Sequence, residues 1–376
     1  MLSVKIHKSI AEISRIDWNA LIEDNNPLLR HEFLHGMELH QCVGEKFGWL
    51  PCHIALYDDH QLVGAIPLYI KTNNYGEFVF DHSWADAYSR NGMDYYPKLV
   101  SAVPYTPAQG QRLLCQRQDR SAILPVLFKT LQELTHANDF SGFHFLFAAD
   151  EDQDFLENHN LLIRHDCQYH WFNKNYQNFS EFLATLVSRK RKNIRKERQA
   201  VVNAGVTLRR LNGHTANSKD WQDFTLFYNR TFEEKWGMAT FNQAFFEHVA
   251  KHLPDNILLV LADNADGQCI AGSLMYVSDN TLYGRHWGCT EQIDHLHFEA
   301  CYYQGIEFCI EQGLSKFEPG AQGEHKIARG FIPVRTRSAH YLQQTPLYSP
   351  IADFCQRERR GVADYMQQLQ AKIPFK

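Results

Sequence analysis

Long apolar runs are missing from this sequence. The clearest one, "ILLVLA", is the length of a strand and too short to cross a membrane. The opening "MLSVKIHKSIAEIS" lacks the apolar core of a secretory leader. Both point to a cytoplasmic protein with no membrane insertion. Cysteine is sparse and scattered: nine residues, with no C-x-x-C pair, which disfavours zinc-finger and dithiol sites and leaves reduced, mostly buried thiols. Neither G-x-S-x-G nor a P-loop occurs, so nothing supports a hydrolase or an NTPase. Charge of one sign is not in large excess. A net charge of -5 excludes whole-molecule electrostatic binding of nucleic acid and leaves any such binding to a local patch. Proline is low at 13 residues while aromatics reach 13%, which argues against disorder.

What is present is enough residues for two cores, and an order of elements that occurs twice. In the first half "RHEFLHGMELHQCVGEKFG" predicts a helix. "CHIALYD", "QLVGAIPLYIK" and "GEFVFDHSW" predict an antiparallel meander with turns at "DDH" and "TNNY". "SAILPVLFKTLQELTHAND" is a helix with Ser121 as its N-cap, and "GFHFLFA" and "HDCQYHWFNKNY" are strands around the short helix "EDQDFLENHN". In the second half "NFSEFLATLVSRKRKNIRKERQAVVNAG" predicts one long helix stopped by Gly205. "NILLVLAD", "QCIAGSLMYVSD" and "TLYGRHWGC" predict a second meander, followed by a helix ended at Gly313. The repetition predicts an α/β fold with mixed sheets, duplicated as residues 1–175 and 176–376, with the boundary near Tyr176.

A meander followed by helix, strand, helix, strand resembles the GNAT acyltransferase fold, and two in tandem resemble the Fem family. "RKNIRKERQAVVNAGV", "FYNRTFEEKWGM" and "HKIARGF" carry that likeness. "GRHWGC", "LHFEACYYQGIEF" and "FEPGAQGEHKIARGF" are similar to a bacterial group of predicted Fem-related N-acyltransferases, and the likeness covers nearly the whole chain. The resemblance implies transfer of an acyl or aminoacyl group onto a small-molecule or peptide amine, with peptidoglycan precursors as the family's acceptors. It implies no tightly bound cofactor, and a donor that is aminoacyl-tRNA or an acyl-CoA. GNAT proteins that use acetyl-CoA open the helix after the meander with a glycine-bearing loop. Here that stretch is "TEQIDHLHFE", with no glycine for backbone cradling of a pyrophosphate, which favours another donor. The long helical hairpin of many Fem transferases is also absent. The rival from another class is a non-catalytic binder of a cell-wall precursor or nucleotide-linked ligand.

Acyl transfer to an amine needs a neutral amine, a polarised carbonyl and close positioning. "EPGAQGEHKIARGF" places Glu318, Gln322, Gly323, Glu324, His325, Lys326 and Arg329 on pliable backbone. Glu324 or His325 suits proton removal, and Glu318 joins them as a catalytic candidate. Arg329 suits an anionic group, and the resemblance assigns charge stabilisation to Lys326. Arg285, His286 and Trp287 end a strand, and His297 and Glu299 open a helix, so all five are candidate substrate contacts. The spacing of Asp294, His295, His297 and Glu299 fits no metal site, so none is expected. Seven of the ten residues from Arg189 to Arg198 are basic. A merely solvated helix mixes signs, so Arg189, Lys190, Arg191, Lys192, Arg195 and Lys196 form a candidate polyanion site, with tRNA as the candidate partner.

Overall fold

The computed structural model describes residues 1–234, 237–321, 323–343 and 346–376. The chain forms two compact units: Met1–Asp166 with Arg335–Tyr365, and Cys167–Val334 with Met366–Lys376. The strands are β1 (Leu2–His7), β2 (Trp49–Pro51), β3 (His53–Asp58), β4 (Gln61–Ile66), β5 (Leu68–Lys71), β6 (Lys98–Ser101), β7 (Leu114–Cys115), β8 (Gly142–Leu146) and β9 (Leu162–Phe172). They continue as β10 (Thr207–Leu211), β11 (Ile257–Asp263), β12 (Cys269–Val277), β13 (Thr281–Cys289), β14 (Lys316–Glu318) and β15 (Ile332–Leu342). The fold is mixed α/β.

In the first unit β1, β3, β4 and β7 form one antiparallel sheet. β15, β8, β6, β5 and β2 form another run in which only β6 and β8 are parallel. "QLVGAIPLYIK" is not one strand. Pro67 cannot donate to a ladder, and β4 and β5, on either side of it, pair with different strands. "GEFVFDHSW" is not a strand either, and its end starts the helix His82–Arg90. Its alternating Phe78 and Phe80 mimic a strand period, yet both are exposed. The N-cap position of the helix Arg120–Ala137 is Asp119 rather than Ser121, and its side chain makes no capping hydrogen bond. The apolar core gathers Leu56, Leu68, Leu127, Phe143 and Phe145.

Beside that core lies a buried ionic knot. The Lys98 ammonium on β6, fully buried, donates to Glu77 at 2.9 Å and to Asp81. The Tyr95 hydroxyl donates to Asp81 at 2.6 Å. Burial alone would pull Lys98 down, but Glu77 and Asp81 outweigh it and hold the amine above its ordinary value. Nearby Lys71 donates to Asn73 Oδ1 at 3.2 Å and to the Tyr75 carbonyl at 3.0 Å, and burial pulls it down to about 7.

In the second unit β10, β11, β12 and β13 form the expected meander, and β13 pairs in parallel with β14. Gly313, at φ 67, ends the helix Gln304–Gln312 in the left-handed conformation that glycine adopts without a Cβ penalty. The expected long helix is two, Phe179–Thr185 and Ser188–Asn203, broken at Leu186–Val187. The break is held by the chain's end: Val187 N–H donates to Pro374 O and Lys376 N–H to Thr185 O. Trp171, Phe182, Tyr303, Phe317 and Phe331 pack at the centre of the core.

Candidate functional site

The parallel ladder between β13 and β14 lasts three pairs and ends at Tyr283 and Glu318. Beyond it the chain turns away through Pro319 and Gly320 while β13 runs on to Cys289. A Cβ on Gly284 would lie 3.1 Å from Pro319 Cα, so glycine lets the two backbones touch where they part. At Arg285, β13 carries one residue more than β12: Leu274 faces His286 and Met275 faces Gly284.

Past the turn, Glu324–Arg329 forms a short 3₁₀ helix. It brings Lys326 inward, with its side chain 2% exposed. The ammonium donates to Gly320 O at 2.8 Å and Ala321 O at 3.1 Å. Burial pulls it down to about 8; Cys301 opposes the shift and Arg285 adds to it. His325 Nε2 lies 3.0 Å from the Tyr302 hydroxyl. Its ring packs among Phe298, Tyr302 and His297, at 5.7, 5.8 and 6.4 Å. Burial, with Lys326 and Arg329, holds His325 below the usual imidazole range, so it is neutral at pH 7. Gly323, at φ 108, passes beneath that ring. A Cβ there would sit 2.6 Å from it.

The helix after β13 is not uniform. Leu296–Phe298 and Gln304–Gln312 are joined by a π-helical turn, Glu299–Tyr303. Single π turns inside helices recur at functional sites. This one aims Tyr302 at His325 and brings the Tyr303 hydroxyl to Glu197. It also carries Cys301, which burial pushes up to about 12.

The expected residues therefore divide. Lys326, His325, His297 and Trp287 come together, with Trp287 and His297 5.3 Å apart edge to face. Arg329 is close as well: it stacks 3.4 Å over the Phe298 ring and donates to Glu197 at 2.8 Å. Arg285 is half-buried in the bulge, where burial pulls it down to about 10. Glu318 ends β14 and pairs with Lys316 at 2.6 Å. Glu324 lies at the surface and pairs with Lys372 at 2.7 Å. Glu299 accepts from Arg198 Nη2 and Nε, at 3.0 and 3.1 Å, and from Gln304 at 2.8 Å. His286 sits among Tyr228 and Phe241, at 5.0 and 5.3 Å, and burial drives it well below its ordinary value. Gln322 lies outside the described residues. Tyr302, Phe298 and Glu197 were missed as site residues. The doubled aromatic in "ACYYQG" was the available signal.

The basic helix Ser188–Asn203 has two faces. Inward, Glu197 meets Arg329 and Tyr303, and Arg198 meets Glu299 and Glu307. Outward, Arg189, Lys192, Arg195 and Lys196 are exposed, and Lys190 and Arg191 are half-buried. Among the described residues these six form no ion pair, and Arg191 makes a long 3.5 Å contact to Leu186 O.

Among the described residues no three His, Cys, Asp or Glu side chains are grouped to hold a metal ion, and no helix is long and apolar enough to cross a membrane. A neutral imidazole, a buried ammonium and a strand edge left by a splayed ladder are the parts needed to deprotonate an amine and polarise a carbonyl.

The chain as a whole falls in a known class. The FemAB-like family, described by peptidoglycan biosynthesis/recognition, matches residues 9–376, and the chain belongs to it. Membership supports the acyltransferase class expected from the sequence. FemX is similar in structure, with a TM-score of 0.56 at 13% identity over 90% of this chain and 98% of that one. A conserved Bacteroides thetaiotaomicron protein of unknown function has a TM-score of 0.56 at 12% identity over 91% and 100%. The L-PGS of Bacillus licheniformis has a TM-score of 0.47 at 10% identity over 76% and 84%. The first two likenesses show the fold. Comparison with curated proteins gives no match.

Proposed function

We propose that this chain moves an aminoacyl group from aminoacyl-tRNA onto the amine of a peptidoglycan-type precursor. The enzyme would be built of two GNAT-like domains in tandem, the second centred on Cys167–Val334. The second would carry the chemistry. The observation that bears most weight is Lys326, a buried ammonium that, among the described residues, donates to two backbone carbonyls and to no carboxylate, beside the splayed β13–β14 pair. A desolvated cation there stabilises the negative charge that develops on the carbonyl oxygen as the amine attacks. His325, exposed to an incoming amine and hydrogen-bonded to Tyr302, takes the amine proton; Glu324, equally exposed but already paired with Lys372, is the poorer base. Donor choice rests on the outward cations of the basic helix, which suit a phosphate backbone.

The test is mass spectrometry of the full chain incubated with charged tRNA, acyl-CoA and amine pools. A new amide is expected with charged tRNA. Lys326→Met is expected to lower its formation by roughly 10²–10³-fold without loss of fold by circular dichroism. No amide from any donor would leave the non-catalytic binder standing instead. An amide formed from acyl-CoA alone would overturn the donor assignment.

A further inference from the structure

A second concentration of positive charge lies in the first unit and plays no part in the acyl-transfer reading. There β9, β15 and the helix Tyr348–Gln370 bound an open groove of about 800 Å³. Arg335 and Arg337, two apart on β15, lie on one face of that strand, and Arg359 and Arg360 come from the helix. His165 lies among them, with Tyr348 on the wall.

The four arginines are not equivalent. Arg337 is held by Asp150 at 2.7 Å and Glu157 at 3.0 Å. Arg335, Arg359 and Arg360 form no ion pair or hydrogen bond among the described residues. Arg335, Arg337 and Arg359 line the groove together with His165, and with burial they pull it down to about 4 against an opposing push from Glu157. One carboxylate, Glu157, also lines the groove, but it is taken up by Arg337, and among the described residues none is in ion-pairing distance of the other three. Unpaired guanidiniums crowded together repel, and a bound anion removes the repulsion. The planar fork of arginine matches phosphate oxygens two at a time, and a groove of this volume accepts a small molecule.

We propose that this groove binds a compact polyanion of the phosphate class, a ligand carrying a diphosphate or two phosphoryl groups. Arg335, Arg359 and Arg360 make the contacts, and Arg337 is the pre-positioned cation beside them. The site does not depend on the transferase assignment, because it is read by binding and not by turnover.

The experiment is isothermal titration of inorganic pyrophosphate into the full chain at low and at moderate salt. Saturable binding is expected, weaker at the higher salt. Arg359→Ala/Arg360→Ala is expected to weaken it about tenfold or more, and Arg359→Lys/Arg360→Lys by less, since charge is kept and the fork is lost. Neither arginine is in an ion pair, so melting should not move; Arg335→Ala supplies a second variant should the double one unfold. Lys192→Ala/Arg195→Ala, on the basic helix, should leave pyrophosphate binding unchanged. Failure to saturate, indifference to the groove substitutions, or an equal loss from the basic-helix variant overturns the proposal. Capture of phosphatidylcholine vesicles doped with phosphatidic acid, without affinity for free pyrophosphate, overturns a soluble ligand in favour of a lipid headgroup.

Discussion

Lys98 in the first unit and Lys326 in the second are both almost wholly removed from water, yet their amines behave in opposite ways. Lys98 faces two carboxylates and is held above its ordinary value. Lys326 faces two backbone carbonyls and is pulled down to about 8. Carbonyl dipoles satisfy the hydrogen bonds of an ammonium but do not neutralise its charge, so the burial cost stays in the pKa. A buried lysine matched by acids is a piece of architecture. One matched by carbonyls can lose its proton or respond to a charge forming nearby, as a reaction site requires. Lys71, at about 7 with carbonyl acceptors, shows that the rule follows the partners and not the unit.

The largest expected difference is in stability. Lys98→Met strands Glu77 and Asp81 in the core and should cost about 3–5 kcal/mol in urea unfolding; a loss under about 1 kcal/mol would show the knot to be hydrated and the contrast false. Lys326→Met should cost clearly less at pH 7. There the folded state carries a penalty for the charged amine that the unfolded chain, whose amine keeps its ordinary value of 10.5, does not. Between pH 8 and 10.5 the unfolded chain binds more protons, so the Lys326 contribution to stability rises with pH in that window.

Next in size is an effect on turnover. His325→Gln keeps a polar side chain beside Tyr302 but cannot take the amine proton, and should slow amide formation about 10²-fold with melting unchanged. An unaltered rate would move the base elsewhere. The smallest effect is a titration. Competitive labelling of amines with trace acetic anhydride should give Lys326 a midpoint near its depressed value of about 8, while Lys98 stays unreactive throughout. Equal midpoints for the two would erase the comparison.

Much of the second unit was legible because its signals are local. Gly205 and Gly313 stop helices where a left-handed residue is needed, and "ILLVLAD", "QCIAGSLMYV" and "TLYGRHWGC" are strand-length runs separated by short turns, as in a meander. The first unit was harder to read. Pro67 divides an apolar stretch between two ladders, and Phe78 and Phe80 alternate like a strand while facing solvent. The Lys98 knot was invisible because it joins β6 to residues 17 and 21 positions away, outside any pattern of period two or 3.6. In the candidate site Lys326 and His325 could be named from their motif. That Glu324 turns outward to Lys372, and Glu299 inward to Arg198, depends on partners far along the chain.

The π-helical turn at Glu299–Tyr303 changes what an insertion or deletion would do. In a regular helix one residue removed swings everything beyond it by about 100°. Here a surplus residue is already absorbed within a single loop of the coil. Excising one position would relax that loop to the ordinary pitch, leave Gln304–Gln312 seated, and re-aim only the paired tyrosines. The chain can thus retune the aromatic wall around His325 by length alone, with no change in the scaffold that holds it.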